Sequence, residues 1–422
     1  MNRTIWRANS WAIFFLLIYV VLALKIITFR ELDHNIFFGI YSVLVSFYLL
    51  SRFALSFFYE PPTVKFDRGY EPTVTFGVPA KNEGENIRET ILRIARSDYP
   101  KNKFDIVAVN DGSTDSTLAE MLEAQKIARS EGVSVRVMDW KENKGKREGM
   151  AECVKQSSNE IVIFIDSDSF VEEKTTREFV KYFSDPSIAA VAGHAYVANA
   201  EKNMLTKMQA VRYYISFTVN KAAEALFGSV TCCSGCCSAY RRSYVVKIIN
   251  AWLHQRFLGV RCTYGDDRSL TNFLLFRGYN CIFGPDAIAY TFVPENFRQF
   301  LRQQLRWKKS WFRESILACT FMWRRNPIMS ASFYLGVFLP LLAPIVFIRA
   351  VLWMPFFQGR SPTFYVIGFI LMAVLSGVYY YARTGDKKWA YGVLFSTLYA
   401  LVLIWQLPYA IVNIRDSRWG TR

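Results

Sequence analysis

The sequence predicts an α/β nucleotide-binding domain inserted between N- and C-terminal transmembrane helices, and three observations carry that prediction. The two ends of the 422-residue chain are apolar, while its charged residues crowd into the middle. From Thr73 onward, short β-branched runs alternate with stretches of helical apolar spacing. Aspartates, glycines and basic residues gather where those expected strands end.

The first part, 1–60, reads as two membrane helices. Residues 11–29 hold one charge, Lys25, and residues 36–58 hold one, Arg52, placed where a long side chain can reach the interface. Each run exceeds the roughly 18 apolar residues needed to cross a hydrocarbon core. A cleaved signal peptide fits poorly, because the first run is long, lacks a small-residue cleavage pattern and leads into a second run. Arg3, Arg7, Lys65 and Arg68 flank the pair and place the polar middle in the cytoplasm.

The middle, 61–290, reads as a mostly parallel sheet with covering helices. Strands are expected at 73–80, 104–110, 134–138, 160–165 and 188–193, with helices at 85–98, 115–131, 146–157 and 172–183. In such sheets ligands sit beyond the carboxyl ends of the strands. VPAKNE (78–83) follows the first strand. NDGSTD (110–115) follows the second, with Ser113 or Thr114 able to cap the next helix; the string also reads as a plain turn. Asp166 and Asp168, at i and i+2 on a strand end, point the same way and can jointly hold a hard divalent cation, although aspartates are common in turns. Lys144, Lys146 and Arg147 beside a glycine read as a phosphate cradle or as a basic surface loop. In YGDDRSL (264–270), Asp266 or Asp267 can act as a general base or simply favour a helix N-terminus.

Segment 291–327 contains RQQLRWKKSWFRES (302–315), which is basic, aromatic and amphipathic. It reads as an interfacial helix that also presents Arg306 to the site. Residues 328–413 hold apolar runs at about 329–357, 363–381 and 390–413. If all three crossed, 414–422 would end on the far side of the membrane. The run 390–413, interrupted by Gln406 and Pro408, is therefore expected not to span simply.

The net charge of +16, from 51 Lys+Arg against 35 Asp+Glu, is accounted for by helix-flanking cations and by a field suited to anionic nucleotide-sugars. No nucleic-acid module appears, and no nucleic-acid partner is expected. The eight cysteines lie in the expected cytosolic part, which disfavours disulfides. Cys232, Cys233, Cys236 and Cys237 have CxxC spacing twice over. The two pairs overlap within six residues and no second cluster exists, so small polarizable packing side chains explain them better than zinc.

The ordered set VPxxNE, NDGSTD, NKGK, DSD, GDD and QxxRW (Gln303, Arg306, Trp307) resembles family-2 processive glycosyltransferases of GT-A, Rossmann-like fold. The likeness narrows to hyaluronan synthases and their chitin-oligosaccharide synthase relatives over 211–243. It leans toward hyaluronan synthases at 261–272 and 306–315, and covers nearly the whole chain from Thr73. RWGTR (418–422) is similar to a gating-loop segment of hyaluronan synthases that chitin synthases also carry. Two departures stand out. This chain stops at WGTR, where many hyaluronan synthases continue, and it has SGCCSAY (234–240) where they usually carry SGP.

The resemblance implies roles for individual residues. Asp111 and the backbone of VPAKNE, with Pro79, Asn82 and Glu83, hold the uridine; Lys146 and Arg306 hold the diphosphate. Asp168 binds Mn²⁺ or Mg²⁺, with Asp166 beside it in the substrate-binding set. Asp266 and Asp267 form the catalytic pair, Asp267 being the general base. Gln303 belongs to the substrate-binding set, Trp307 sits under the acceptor sugar as a stacking floor, and Trp419 and Arg422 close over the nucleotide. The implied activity is inverting, processive polymerisation of UDP-GlcNAc, with UDP-glucuronate, into hyaluronan that is secreted across a plasma membrane. The implied partners are the UDP-sugars, the nascent polysaccharide and the bilayer. A chitin-type synthase using UDP-GlcNAc alone, or a non-processive lipid-linked sugar transferase, are the alternatives within enzymes. A pure transporter would leave the aspartates at strand ends unexplained.

Overall fold

The computed structural model describes residues 3–31, 36–62 and 70–417. Two long apolar helices, α1 (Arg3–Glu31) and α2 (Ile36–Phe57), come first. The α/β part follows as β1 (Val74–Ala80), α3 (Ile87–Ala95), β2 (Phe104–Asp111), α4 (Thr117–Ser130), β3 (Ser134–Trp140), α5 (Lys146–Gln156) and β4 (Ile161–Phe164). It continues through β5 (Ser169–Val171), α6 (Thr175–Val180), β6 (Ile188–Val197), α7 (Met204–Ile215), a π-helical turn Ser216–Lys221, α8 (Ala222–Ala225), β7 (Ser238–Arg241) and α9 (Arg242–Leu253). A small hairpin, β8 (Arg256–Phe257) and β9 (Val260–Arg261), leads to α10 (Asp266–Phe276) and β10 (Asn280–Thr291). The C-terminal part is helical: α11 (Phe297–Cys319), α12 (Pro327–Phe347), α13 (Met354–Gln358), α14 (Thr363–Thr384), α15 (Trp389–Leu401) and α16 (Gln406–Val412).

The eight-stranded sheet has the order β3-β2-β1-β4-β7-β6-β10-β5. Strands β1, β2, β4 and β6 bury both faces, so their sequences run largely apolar rather than alternating. Alternate side chains still go to opposite sides. Val107 and Val109 of β2 join one apolar cluster with Met150, Val162 and Trp252, while Ile106 and Ala108 join another with Ile87, Ile91 and Met121. The first cluster extends to Met329, Phe333 and Val337 of α12, so the α/β core and a membrane helix share one packed interior.

The sheet is mostly parallel, as expected, with two strands of the eight running against the others. Strands β1 to β4 pair in parallel, but β7 is antiparallel to both β4 and β6, and β5 is antiparallel to β10. The reason is the long helical excursion through α7 and α8, which returns the chain to the sheet from its other end. The expected helix at 172–183 shortens to α6, followed by a 3₁₀ turn at Lys181–Ser184.

Among the described residues, four helices are long and apolar enough to cross a membrane: Asn9–Ile27, Ile36–Phe57, Pro327–Gln358 and Thr363–Thr384. The last apolar run is broken, as its polar interruptions suggest, with α15 and the following helix bent by 43°. The break falls at Val402 rather than at Gln406 or Pro408, which both lie in α16. Beyond it the chain returns to the α/β part. Tyr264 Oη donates to the Asp416 carbonyl at 3.1 Å, and Lys309 Nζ pairs with the Asp416 carboxylate at 3.2 Å. The side chains of the basic flanks Arg3, Arg7, Lys65 and Arg68 lie outside the described residues.

Candidate active site

The loops at the carboxyl ends of β1, β2 and β4 are tied to one another by hydrogen bonds that the sequence motifs supply. Asn82 takes a left-handed backbone (φ 54°), and its Oδ1 accepts from Thr114 N–H at 2.9 Å. Asn82 N–H donates to Ser113 Oγ, and Glu83 N–H to Thr117 Oγ1 at 2.7 Å, knitting VPAKNE to NDGSTD. The start of α4 is held by Asp115, whose Oδ1 accepts from Thr117 N–H at 3.0 Å; neither Ser113 nor Thr114 caps it. Gly112 (φ 62°) lets this turn pass the 142–143 backbone, where a Cβ would stand 2.6 Å from Asn143 N. Asp111 uses both carboxylate oxygens on the next loop, accepting from Lys144 N–H at 2.6 Å and Gly145 N–H at 2.9 Å. Burial raises its pKa against the pull of those two amides.

Asp166 and Asp168 lie in the turn after β4 rather than on the strand, so the pairing by strand alternation is corrected. Asp166 is ion-paired with Lys146, which stands at the start of α5. Burial alone would depress the Lys146 ammonium, but Asp166, with Asp266 and Asp267 behind it, holds it protonated above the usual lysine range. Burial and the Asp166 charge together push Asp168 up to about 6. Two crowded carboxylates, with Asp168 raised by its neighbour, are a donor set suited to a divalent cation. Among the described residues no group of three or more His, Cys, Asp or Glu side chains could hold a metal, at this pair or among the cysteines.

Of the expected phosphate cradle, Lys146 faces the site and Arg147 turns into the core. Arg147 Nε pairs with Asp266 at 3.0 Å with both side chains 5% exposed, and Nη1 donates to Trp252 O and Gln255 Oε1. Asp266 is thereby an anchor for the start of α10, and Asp267 is left at the cavity. Asp267 Oδ1 accepts from Arg268 N–H at 2.8 Å, and Cys232 Sγ lies 3.4 Å from Oδ2. Burial and the Asp267 charge push the Cys232 thiol up to about 12, so it stays a neutral donor.

Gly265 joins this turn to α11. It has φ 76°, and a Cβ there would overlap Ser310 Oγ and stand 2.8 Å from Ser310 Cβ. Gly265→Ala is expected to cost about 1–3 kcal/mol from the left-handed backbone alone, before the clash is counted. Thermal unfolding of purified protein checks this. Adding Ser310→Gly should recover the steric part of the loss and not the backbone part.

Across the cavity, α11 contributes Gln303, Arg306 and Trp307 from successive turns of one face. Burial lowers the Arg306 guanidinium from its ordinary value, while Asp266, Asp267 and Asp166 pull it back up. Trp307 is 40% exposed, with its ring 6.3 Å from that of Tyr213. Gln303 Oε1 is buried without a hydrogen-bond partner among the described residues, an acceptor awaiting a donor. Trp419 and Arg422 lie outside the described residues, but Ser417 lines the rim and accepts a hydrogen bond from Thr263 Oγ1.

These groups line one cavity of 1330 Å³. Pro79, Asn82, Glu83, Asp111, Lys146, Asp166, Asp168, Asp266 and Asp267 are all among its lining residues. It continues past Trp307 to Gly336 and Pro340 of α12 and Phe395 and Tyr399 of α15. Cys232, expected only to pack, also lines it, as do Arg212, Tyr213, Lys221 and Gly235, which no motif named one by one. Their only sequence signal was membership of 211–243.

Residues 72–310 match the family described as "Glycosyltransferase like family 2". The chain is 30% identical to the hyaluronan synthase of Streptococcus pyogenes over 390 residues, covering 91% of this chain and 90% of that protein. It is 29% identical to an N-acetylglucosaminyltransferase of Azorhizobium caulinodans over 358 residues, 83% of this chain and 87% of that one. A mannosyltransferase of Pyrobaculum calidifontis, solved with GDP-Man and Mn²⁺, superposes with a TM-score of 0.60 at 21% identity. That match covers 86% of this chain and 98% of the other, and shows a shared fold.

Proposed function

The chain belongs to glycosyltransferase family 2, with a GT-A fold, and on that premise we propose that it polymerises UDP-sugars into a β-linked polysaccharide, hyaluronan, and passes the chain through a plasma membrane. The observation that carries this reading is the single cavity joining the nucleotide loops, Asp267 and the helices α12 and α15. Donor, base and membrane path share one continuous space, so a growing chain need not leave the site where it was extended.

In this reading the uridine rests on Asp111 and the VPAKNE backbone, including Pro79, Asn82 and Glu83. Lys146 and Arg306 meet the diphosphate. Asp168, with Asp166 beside it, would hold Mn²⁺ or Mg²⁺, which when bound would supply charge to neutralise departing UDP. Asp267 takes the proton from the acceptor hydroxyl as that oxygen attacks C1 of the α-linked donor. The C1–O bond to UDP breaks on the opposite face, which inverts the anomeric centre. Trp307 offers its open ring to the acceptor sugar, and Gln303 Oε1 accepts one of its hydroxyls. Trp419 and Arg422 would close over the nucleotide. The α/β part lies in the cytoplasm, where UDP-sugars are made.

The choice of an acidic product rests on Arg212 and Lys308, which line the membrane-side end of the cavity. Neither is ion-paired among the described residues. Burial, then the Arg212 charge, pulls the Lys308 ammonium down to about 8. The acidic lining residues are instead Glu83, Asp111, Glu148, Asp166, Asp168, Asp266 and Asp267, on other elements. Two cations facing a path through apolar helices suit the carboxylates of a uronate-containing chain better than a neutral one.

The test supplies purified enzyme with UDP-GlcNAc, UDP-glucuronate, or both. Polymer only from the mixture, digestible by hyaluronidase and shortened in Arg212→Gln, is the expected result. A chitinase-sensitive product from UDP-GlcNAc alone, unchanged by Arg212→Gln, contradicts the acidic product.

A further inference from the structure

We infer that a buried ion pair between membrane helix α2 and helix α8 positions the loop beside Asp267, so that the rate of sugar transfer depends on how α2 is seated. The inference rests on the reading of Asp267 as the base. Arg52, near the end of α2, donates from Nη2 to Glu224 Oε1 at 3.0 Å, with the two side chains 5% and 12% exposed. The other carboxylate oxygen of Glu224 accepts from Thr231 N–H at 2.8 Å and Thr231 Oγ1 at 3.0 Å. Thr231 opens the segment 231–237, which has no helix or strand to fix its course. Its next residue, Cys232, carries the thiol on Asp267 Oδ2, and Arg268 Nη1 reaches Thr231 Oγ1 at 3.4 Å. One turn before Glu224, Lys221 donates to Cys232 O and to Ser234 Oγ. Glu224 therefore holds the membrane helix with one oxygen and the loop beside the base with the other.

Stability alone is a weak reason for such a pair. Two buried charges cost desolvation, and well-packed apolar replacements are often neutral or stabilising. Among the described residues, Arg52 Nε and Nη1 are also buried without hydrogen-bond partners, a poor arrangement for stability. The π-helical turn Ser216–Lys221 leads directly into α8, and such turns are frequent at functional sites. Glu224 and Arg52 are positioning residues in this account; neither lines the cavity.

The experiment compares Arg52→Leu, Glu224→Leu, the double variant and Arg52→Lys, each purified as the full chain. The three leucine variants are expected to lose kcat by a common factor, on the order of 10- to 100-fold, because each cuts the same tether. Each single leucine variant leaves one buried charge unpaired and should unfold at a lower temperature, whereas the double variant should keep the parent's UDP affinity and unfolding temperature; Arg52→Lys should retain most of the rate. A double variant with the parent kcat overturns the inference. So does a parallel loss of rate, UDP affinity and unfolding temperature in the double variant, which would make the pair a fold contact only. Failure of the underlying reading shows separately, as parent protein that binds UDP yet makes no polymer, and that result overturns both.

Discussion

Asp267→Asn is expected to reduce polymer synthesis by about 10²- to 10⁴-fold, the range general-base catalysis supplies, while leaving UDP binding intact. The substitution keeps the side-chain shape and removes the basic oxygen. Asp267 is held from several sides: Arg268 N–H on Oδ1, Cys232 Sγ on Oδ2, and Thr271 Oγ1 on its backbone carbonyl at 2.7 Å. An asparagine there should therefore stay in place, and the loss should fall on kcat. Single-turnover transfer at saturating donor, beside a UDP titration, reads the two quantities. Retained transfer would refute Asp267 as the base and direct attention to Asp266, whose carboxylate is engaged by Arg147 in the core.

Asp168→Ala is expected to erase the gain in UDP affinity that Mn²⁺ or Mg²⁺ provides, a gain of at least about 10-fold if the cation bridges carboxylate and diphosphate oxygens. The crowding of Asp168 by Asp166 disappears in the variant, so the apo site should be no less stable than before. Calorimetric titration of UDP with the metal and with a chelator gives four affinities. The variant's two should agree with each other and with the parent's chelated value. A variant that keeps the parent's metal dependence would remove Asp168 from the metal site.

Much of this site was legible because its residues sit where strands end. Strands β1, β2 and β4 are short apolar runs whose β-branched residues bury on both faces, and the motifs follow them directly. Other elements left weaker marks. Strands β5 and β7 have three and four residues, and β10 shifts register across Gly284, Pro285 and Asp286, so none shows a clean period. The mixed sheet follows from β7, whose direction depends on a 40-residue excursion that no local pattern reveals.

Neighbours were the hardest to separate. Lys146 and Arg147 are adjacent basic residues at a helix start, about 100° apart around its axis. One meets Asp166 at the cavity and the other meets Asp266 in the core. Asp266 and Asp267 divide in the same way. Composition and spacing treat each pair as a unit, and only the packing of α9 and α10 assigns them to different surroundings. The tether from Arg52 to Glu224 spans 172 positions and had no signature beyond one charge in an apolar run.

The most direct test of the account uses sealed inside-out membrane vesicles with labelled UDP-GlcNAc and UDP-glucuronate outside and Mn²⁺ or Mg²⁺ present. The account predicts hyaluronidase-sensitive polymer that accumulates in the lumen, protected from added enzyme until the vesicles are opened, and only when both donors are supplied. Polymer that stays outside and is digested at once, or a single sugar transferred to lipid, would contradict it.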